Sequence, residues 1–134
     1  CIRDRNYAYS LLKQYKGEWE FDTNWKMIFG HPKKAGWIKA IQEAQQTVQK
    51  GLKLDCPILV MSSNKSFPET ETWHEEYMTS DIVLDVQDIQ KYGEKLGDKV
   101  TRDTIPNGIH DLILSQKPYR NDAYQTIFEW LKKQ

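Results

Sequence analysis

The chain has 134 residues and a mass of 15.8 kDa, the size of one compact domain. Hydrophobic residues make up 39% of it and charged residues 28%, which indicates a folded chain rather than a disordered one. Nineteen basic residues balance nineteen acidic ones, so no nucleic-acid partner is indicated, and no apolar run approaches the roughly 18 to 20 residues of a membrane span.

Residues 1–51 are rich in aromatic side chains and contain two predicted helices. The first is YAYSLLKQY, residues 7–15, and an irregular stretch follows it up to residue 33. The second covers residues 34–50, because its apolar side chains recur at helical spacing, and Gly51 follows it as a helix stop. The apolar stripe of this second helix consists of Trp37, Ile38, Ile41, Ala44 and Val48.

Residues 52–134 alternate between strand and helix patterns. The continuous apolar run CPILVMSSN, residues 56–64, is typical of a strand that a parallel sheet buries on both faces. Helical spacing follows in residues 85–97, strand-like alternation in 99–106 and an amphipathic helical pattern in 119–133. The last helix is predicted to turn these side chains inward: Ala123, Tyr124, Ile127, Phe128 and Leu131.

The order strand, helix, strand, helix predicts an α/β fold with a parallel sheet and right-handed crossovers. Ligands of such sheets gather outside the carboxyl ends of the strands. Ser62 and Ser63 end the first predicted strand, and His110 follows the second one on a Pro-Asn-Gly turn. We therefore expect a functional site at this edge of the sheet.

Asp81 is the carboxylate that we expect His110 to contact. It lies between the first strand and the helix, and the 29 residues that separate it from His110 correspond to one helix and one strand. A carboxylate beside an imidazole fixes which ring nitrogen carries the proton, and it stabilises the imidazolium that forms when the other nitrogen accepts one. An unperturbed histidine, with a pKa of about 6.5, suits a base near neutral pH.

Residues 57–131 resemble the C-terminal third of an α/β-hydrolase, in the branch of the lysophospholipase-like and monoacylglycerol-lipase-like serine hydrolases. In that family an acid on a D-x-x-x-D loop follows the penultimate strand, and a histidine in a Gly-x-His pattern follows the last one. DIVLD, residues 81–85, and GIH, residues 108–110, match these two patterns. The resemblance implies that Asp81 is the catalytic acid and His110 the catalytic base.

The resemblance also divides the chain into two parts. Residues 1–51 resemble the cap segment of such enzymes, and residues 52–134 resemble the portion of the core that carries the acid and the histidine. The family's nucleophile lies on a G-x-S-x-G elbow, a sequence that this chain lacks. The nucleophile and the oxyanion-hole donors are thus expected upstream of Cys1. The opening CIRDRNYAY has neither an initiator methionine nor a signal-peptide pattern, so we expect a fragment of a longer protein.

Several polar side chains near the expected site have simpler structural interpretations. Asp85 is the rival acid, but it directly precedes a helical pattern, as an N-cap residue does. Asp111 is expected to form hydrogen bonds within its loop. Ser62 and Ser63 lack the tight glycine turn of a nucleophile, so we expect them to line the site or to satisfy backbone groups. The other candidate nucleophiles within the chain are Ser66, Ser115 and Cys56.

Three tryptophans, Trp19, Trp25 and Trp37, are predicted either to wall an apolar substrate pocket under the cap or to belong to an ordinary core. We take them, together with Ser62, as candidate substrate-binding residues. The sequence leaves the two interpretations of the tryptophans open.

No metal and no cofactor are expected. His31 and His74 lack ligand spacing to other metal-binding side chains, and HEEY at 74–77 is not the H-E-x-x-H zinc helix. Cys1 and Cys56 are the two cysteines, so neither a disulfide framework nor a CxxC site is indicated. Such low cysteine use suits a reducing compartment, and we expect a cytoplasmic location.

The resemblance implies that the parent protein hydrolyses a small carboxylic ester, such as an acylglycerol or a lysophospholipid, as an esterase or lipase does. This chain alone is expected to be inactive. Two parallel strands expose an unpaired sheet edge, so the expected partner is the missing N-terminal half of the hydrolase or a second copy of the chain. The alternative is a non-catalytic interaction module or pseudoenzyme domain that self-associates.

Overall fold

The computed structural model describes residues 3–28 and 32–134, and within these ranges the chain has a mixed α/β fold. The α-helices are α1 (Arg3–Leu11), α2 (Ala35–Lys50), α3 (Val86–Gly93) and α4 (Lys117–Leu131). The strands are β1 (Ile58–Ser63) and β2 (Val100–Ile105). Short 3-10 helices cover Glu75–Met78, Glu94–Leu96 and Leu112–Leu114.

β1 and β2 pair in parallel, from Ile58 opposite Val100 to Ser63 opposite Ile105. A parallel pair needs a long connection between its strands, and α3 lies in that connection and packs on β1. α4 follows β2 and packs against it. The predicted parallel α/β unit is therefore confirmed, with both strands within the predicted ranges.

The first predicted helix, residues 7–15, is wrong at both ends, because α1 covers Arg3–Leu11. The chain turns back after α1, and Lys13 N donates to Trp19 O at 2.9 Å. Gly17 permits this turn: an added Cβ would lie 2.0 Å from the carbonyl carbon of Leu11. A side chain at position 17 would therefore force the turn open.

The second predicted helix is confirmed, but its apolar stripe is not buried. Trp37 is 53% exposed, and Ile38 and Ile41 are exposed as well. On α4 the prediction of inward side chains is right for Ala123, which is fully buried, and wrong for Phe128, which is 58% exposed. Tyr124 and Leu131 of α4 are also exposed.

The apolar part of β1 is less buried than a strand covered on both faces. The stretch 58–61 is half-buried, and only Ser62 and Ser63 of the strand are buried. The sheet has two strands within the described residues, and a two-stranded sheet is too narrow to cover all the apolar side chains around it.

The best-buried apolar side chains lie near the carboxyl ends of the strands. Ile105 ends β2, Ile109 follows it in the next loop, and both are almost completely buried. Leu11 of α1 and Tyr77 of the 3-10 helix are buried to the same degree. The core thus supports the edge of the sheet where the sequence predicts a site. None of the helices in the described residues is both long enough and apolar enough to cross a membrane.

The contact between Gly93 and Val60 predicts a difference between two glycine substitutions. A Cβ added at Gly93 would lie 2.8 Å from Val60 Cγ1, whereas a Cβ at Gly36 would meet no atom within 4 Å. We expect Gly93→Ala to lower the free energy of unfolding by about 1–3 kcal/mol through overpacking. The matched control Gly36→Ala should leave it unchanged or raise it by up to about 1 kcal/mol. Urea unfolding followed by circular dichroism measures both, and equal effects would contradict the packing.

Candidate active site

Asp81 and His110 meet at the carboxyl end of the sheet. His110 Nδ1 lies 2.9 Å from Asp81 Oδ2, which is the distance of a strong hydrogen bond. Asp81 is held in place by its own backbone, since its amide donates to Lys65 O at 3.0 Å and its carbonyl accepts from Phe67 N at 2.9 Å. The segment that follows β1 thus fixes the acid beside the loop that follows β2.

The Asp81 carboxylate is buried, with 1% of its residue surface exposed, and it receives hydrogen bonds on both oxygens. Oδ1 accepts from the amides of Val83 and Leu84, each at 2.8 Å, while Oδ2 faces His110. Burial raises the pKa of this carboxyl, but the hydrogen bonds from His110, Leu84 and Val83 outweigh burial and hold the pKa below 3.8. The group is therefore ionised at neutral pH.

His110 is partly buried and faces this anion with Nδ1. The hydrogen bond to Asp81 raises the pKa of the imidazole above 6.5, although burial opposes the shift. An ionised carboxylate only accepts hydrogen bonds, so Nδ1 carries the proton and Nε2 of the neutral ring is left free to accept one. This is the tautomer that a general base needs.

The loop that carries His110 is anchored on both sides of the ring. Asn107 has φ +59°, and its amide donates to Asn64 Oδ1 at 3.1 Å. Ile109 is buried, and its amide donates to Ser115 Oγ at 3.0 Å. The ring of Tyr7 packs edge-on against the imidazole, with centroids 5.9 Å apart. The imidazole is therefore oriented by contacts with α1 and with its own loop.

Asp111 links the histidine loop to the N-terminal part of the chain. Its Oδ2 accepts from Tyr7 Oη at 3.2 Å and from Lys26 Nζ at 3.0 Å. Burial and the charge of Asp111 raise the pKa of Tyr7, so the phenol stays protonated and donates. Asp111 thus forms hydrogen bonds, as predicted, but the expectation that its partners lie within its own loop is wrong, because both come from the N-terminal part of the chain.

His110 lines a pocket of about 300 Å³. Its charged or titratable members are Tyr7, Lys26, His110 and Asp111, and the remaining wall is apolar. The apolar wall comes from α1, from the segment after it and from the acid loop, and includes Leu11, Phe21, Met27, Ile28 and Val83. Chemically, the pocket offers a base at one side of a largely apolar space.

The four predicted substrate-binding residues lie elsewhere. Trp19 Nε1 donates to Leu114 O at 2.9 Å, and its ring lies under the Arg120 guanidinium. Trp25 is 88% exposed, and Trp37 lies on the exposed face of α2. Ser62 is buried, where its hydroxyl donates to Ser63 O and accepts from a glutamine of α3. None of the four lines the pocket beside His110.

Asp85 is the helix N-cap that the sequence predicts. Its side chain accepts from Gln87 N at 2.9 Å at the start of α3. Ser66 and Ser115 are also occupied by backbone partners, since Ser66 bonds Leu84 O and Val86 N, and Ser115 accepts from Ile109 N. No serine in the described residues hydrogen-bonds to His110.

Residues 3–28 and 32–134 contain no group of three or more histidine, cysteine or acidic side chains that could hold a metal ion. His74 Nε2 instead contacts Thr72 Oγ1 at 3.2 Å, while His31 and Cys1 lie outside the described residues.

Tyr7, Lys26 and Val83 contribute to the site but were not singled out from the sequence. The sequence could have indicated the amides of Val83 and Leu84 as donors to Asp81, because an Asp side chain often accepts from amides two and three residues further on. It could not have indicated Tyr7 and Lys26, since their contact with Asp111 depends on how the N-terminal segment folds over the sheet edge.

Comparison with known proteins adds no family to this geometry. The chain matches no family model, no curated protein and no solved structure.

The shared hydrogen bond predicts how His110 titrates. Asp81→Asn removes the negative charge that favours the imidazolium, so we expect the pKa of His110 to fall. Asp85→Asn is the matched control, because asparagine caps a helix about as well as aspartate and this side chain bonds Gln87 instead. NMR titration of the imidazole signals measures both variants. An unchanged His110 pKa in Asp81→Asn would contradict the contact.

The same pair predicts how stability depends on pH. A histidine whose pKa is raised on folding contributes stability that is fully present below its unfolded pKa of about 6.5 and is lost as the pH rises through the folded pKa. Asp81 has a lowered pKa, so its contribution is present above 3.8 and is lost as the pH falls through the folded value. We expect His110→Gln to cost more stability at about pH 5.5 than at about pH 9 in urea unfolding. An equal cost at both values would refute the linkage.

Proposed function

We propose that the chain is the acid- and histidine-bearing part of a serine hydrolase that cleaves carboxylic esters. The observation that carries this proposal is the bond between the buried Asp81 carboxylate and His110 Nδ1, at 2.9 Å. It leaves Nε2 of the imidazole as the proton acceptor on a residue that lines an apolar pocket. An acid, a base and an apolar space at the carboxyl end of a parallel sheet are the parts that this chemistry needs from the chain.

His110 acts as the general base and then as the general acid. It takes the proton of a serine hydroxyl as the oxygen attacks the ester carbonyl, and it returns the proton to the departing alcohol. Asp81 keeps Nδ1 protonated throughout and stabilises the imidazolium between the two transfers. The serine and the oxyanion-hole donors belong to a segment upstream of Cys1, because the chain has no G-x-S-x-G sequence.

The substrate is an ester with an apolar chain, such as an acylglycerol or a lysophospholipid. Leu11, Phe21 and Met27 give the pocket a wall that favours hydrocarbon, and its volume of about 300 Å³ lies at the lower end of small-molecule sites. In this proposal residues 1–51 act as the cap that excludes water, and residues 52–134 are the core portion. A cytoplasmic location is part of the proposal and agrees with the free, exposed thiol of Cys56.

The second candidate is a non-catalytic module or pseudoenzyme domain that pairs with another copy of itself. The missing G-x-S-x-G elbow and the exposed apolar side chains of α2 and α4 favour it. The sequence encoded upstream of Cys1 separates the two candidates: a G-x-S-x-G elbow there favours the hydrolase, and its absence favours the module.

The proposal predicts activity for the complete protein and none for the isolated chain. The complete reading frame should hydrolyse p-nitrophenyl esters, and His110→Ala should lower kcat by at least about a thousand-fold because the base is lost. Asp81→Asn should lower kcat by about ten-thousand-fold, because the imidazole loses the partner that fixes its tautomer.

Asp85→Asn provides the control, since it keeps the helix cap and should leave kcat unchanged. The hydrolase proposal fails if the isolated chain cleaves the ester and His110→Ala leaves that activity intact. It also fails if the complete protein hydrolyses none of the p-nitrophenyl esters.

A further inference from the structure

A second cavity, of about 440 Å³, shares no lining residue with the pocket of His110 among the described residues. It is formed by α1, by the turn that follows α1 and by the loop that precedes the 3-10 helix Glu75–Met78. Three aromatic rings, two cationic side chains, one carboxylate and one amide side chain line it. Its volume is within the range of small-molecule sites, and the proposed hydrolysis uses none of its side chains.

The segments that form this cavity are bonded to one another. Asn6 is buried, and its Nδ2 donates to Thr70 O at 2.8 Å, which attaches the loop to α1. Thr70 N donates in turn to Tyr77 Oη at 2.8 Å. Lys16 N donates to Tyr9 O at 3.1 Å, which attaches the turn to α1. The cavity is therefore preformed, and a ligand does not have to order these backbone segments when it binds.

The aromatic rings of the lining come from two of these segments. Tyr9 and Tyr15 stack with their centroids 3.8 Å apart and an interplanar angle of 23°. Trp73 of the loop packs edge-on against Tyr77, with centroids 5.4 Å apart. Rings that are held by such contacts offer flat surfaces on which a further aromatic ring can stack.

A cation lies over a ring in each of these two places. The Arg5 guanidinium is 5.3 Å from the centroid of Tyr9, and its Nε donates to Tyr9 Oη at 2.9 Å. Lys16 Nζ is 5.9 Å from the centroid of Trp73. The attraction between cation and ring positions both charges at the cavity. Lys16 Nζ also lies 3.9 Å from Glu75 Oε1, but an exposed pair of this length contributes little, so the ammonium remains available to a ligand.

The charges of the lining indicate the kind of ligand. Two cations and one carboxylate, Glu71, leave an excess of one positive charge. A cationic ligand is disfavoured, because the rings of Tyr9 and Trp73 already hold Arg5 and Lys16. An anion is attracted by both cations, and the forked N–H donors of a guanidinium match the oxygens of a phosphate. The Glu71 carboxylate only accepts hydrogen bonds, so it suits hydroxyl or amino groups of a ligand.

We propose that this cavity binds an aromatic phosphate monoester of the size of a nucleoside monophosphate. The phosphate binds Arg5 and Lys16, while the base stacks on the aromatic rings beside them. The carboxylate of the lining accepts from the ribose hydroxyls. The site contains neither Asp81 nor His110, so the inference goes beyond the proposed function and does not depend on it.

Three matched probes test the class of ligand on this chain. They are adenosine monophosphate, adenosine, which lacks the phosphate, and inorganic phosphate, which lacks the ring. We expect the monophosphate to bind at least about ten-fold more tightly than either of the other two, because only it uses both the cations and the rings. NMR titration measures the three affinities. The indole N–H signal of Trp73 should shift with the monophosphate, and the imidazole signals of His110 should not.

Charge-removing variants test the residues. Arg5→Gln and Lys16→Gln keep long polar side chains and should each weaken binding of adenosine monophosphate by about ten-fold or more. Lys13→Gln is the matched control, because Lys13 lies in the same turn, pairs with Glu20 at 3.6 Å and does not line the cavity. It should leave the Kd unchanged. Trp73→Leu should lower the affinity for the monophosphate to that for inorganic phosphate.

The exposed positions of Arg5 and Lys16 allow both variants to fold, which circular dichroism checks. The inference is overturned if adenosine or inorganic phosphate binds as tightly as adenosine monophosphate, or if none of the three binds at millimolar concentration. Equal weakening by Lys16→Gln and Lys13→Gln overturns it too. Esterase activity of the complete protein without nucleotide binding refutes this inference alone, and nucleotide binding without esterase activity refutes the hydrolase alone.

Discussion

The buried carboxylate of Asp81 is the constraint on which the site depends. A charge can be buried at low cost only where hydrogen bonds replace its water, and Asp81 receives such bonds from Val83 N, Leu84 N and His110 Nδ1. Two of these donors come from the acid's own loop and the third from the loop after β2. The carboxylate is thus satisfied only when β1 and β2 are paired and their carboxyl ends are adjacent.

The N-terminal segment adds to this pair a largely apolar surface and one polar link. Tyr7 and Lys26 both bind Asp111, the neighbour of His110, so the wall of the pocket is attached to the loop that carries the base. The charges of Asp111 and Lys26 act on the imidazole in opposite directions, the first raising and the second lowering its pKa. The ion pair between Lys26 and Asp111 therefore joins two parts of the chain, while its two charges partly cancel in their effect on the pKa of His110.

Local patterns predicted the parallel unit, the N-cap at Asp85 and the meeting of Asp81 with His110, because each follows from chain order and short-range rules. The pocket could not be predicted in this way. Its wall depends on the turn after α1, where Gly17 lets the chain fold back. Trp37 gave no guide to the pocket, because amphipathic spacing predicts which side chains share a helix face and not what packs on that face.

The contacts that hold Asp81 and His110 together differ in origin from those that would cover the apolar surface around them. The hydrogen bonds that fix Asp81 and the loop of His110 come from residues 64 to 115, and the ring of Tyr7 adds an edge-on contact to the imidazole. By contrast, several apolar side chains of α2 and α4 are exposed, and residues 58–61 of β1 are only half-buried. Part of their apolar surface therefore contacts water. The polar contacts of Asp81 and His110 are thus satisfied within the described residues, whereas apolar side chains of α2 and α4 remain partly exposed.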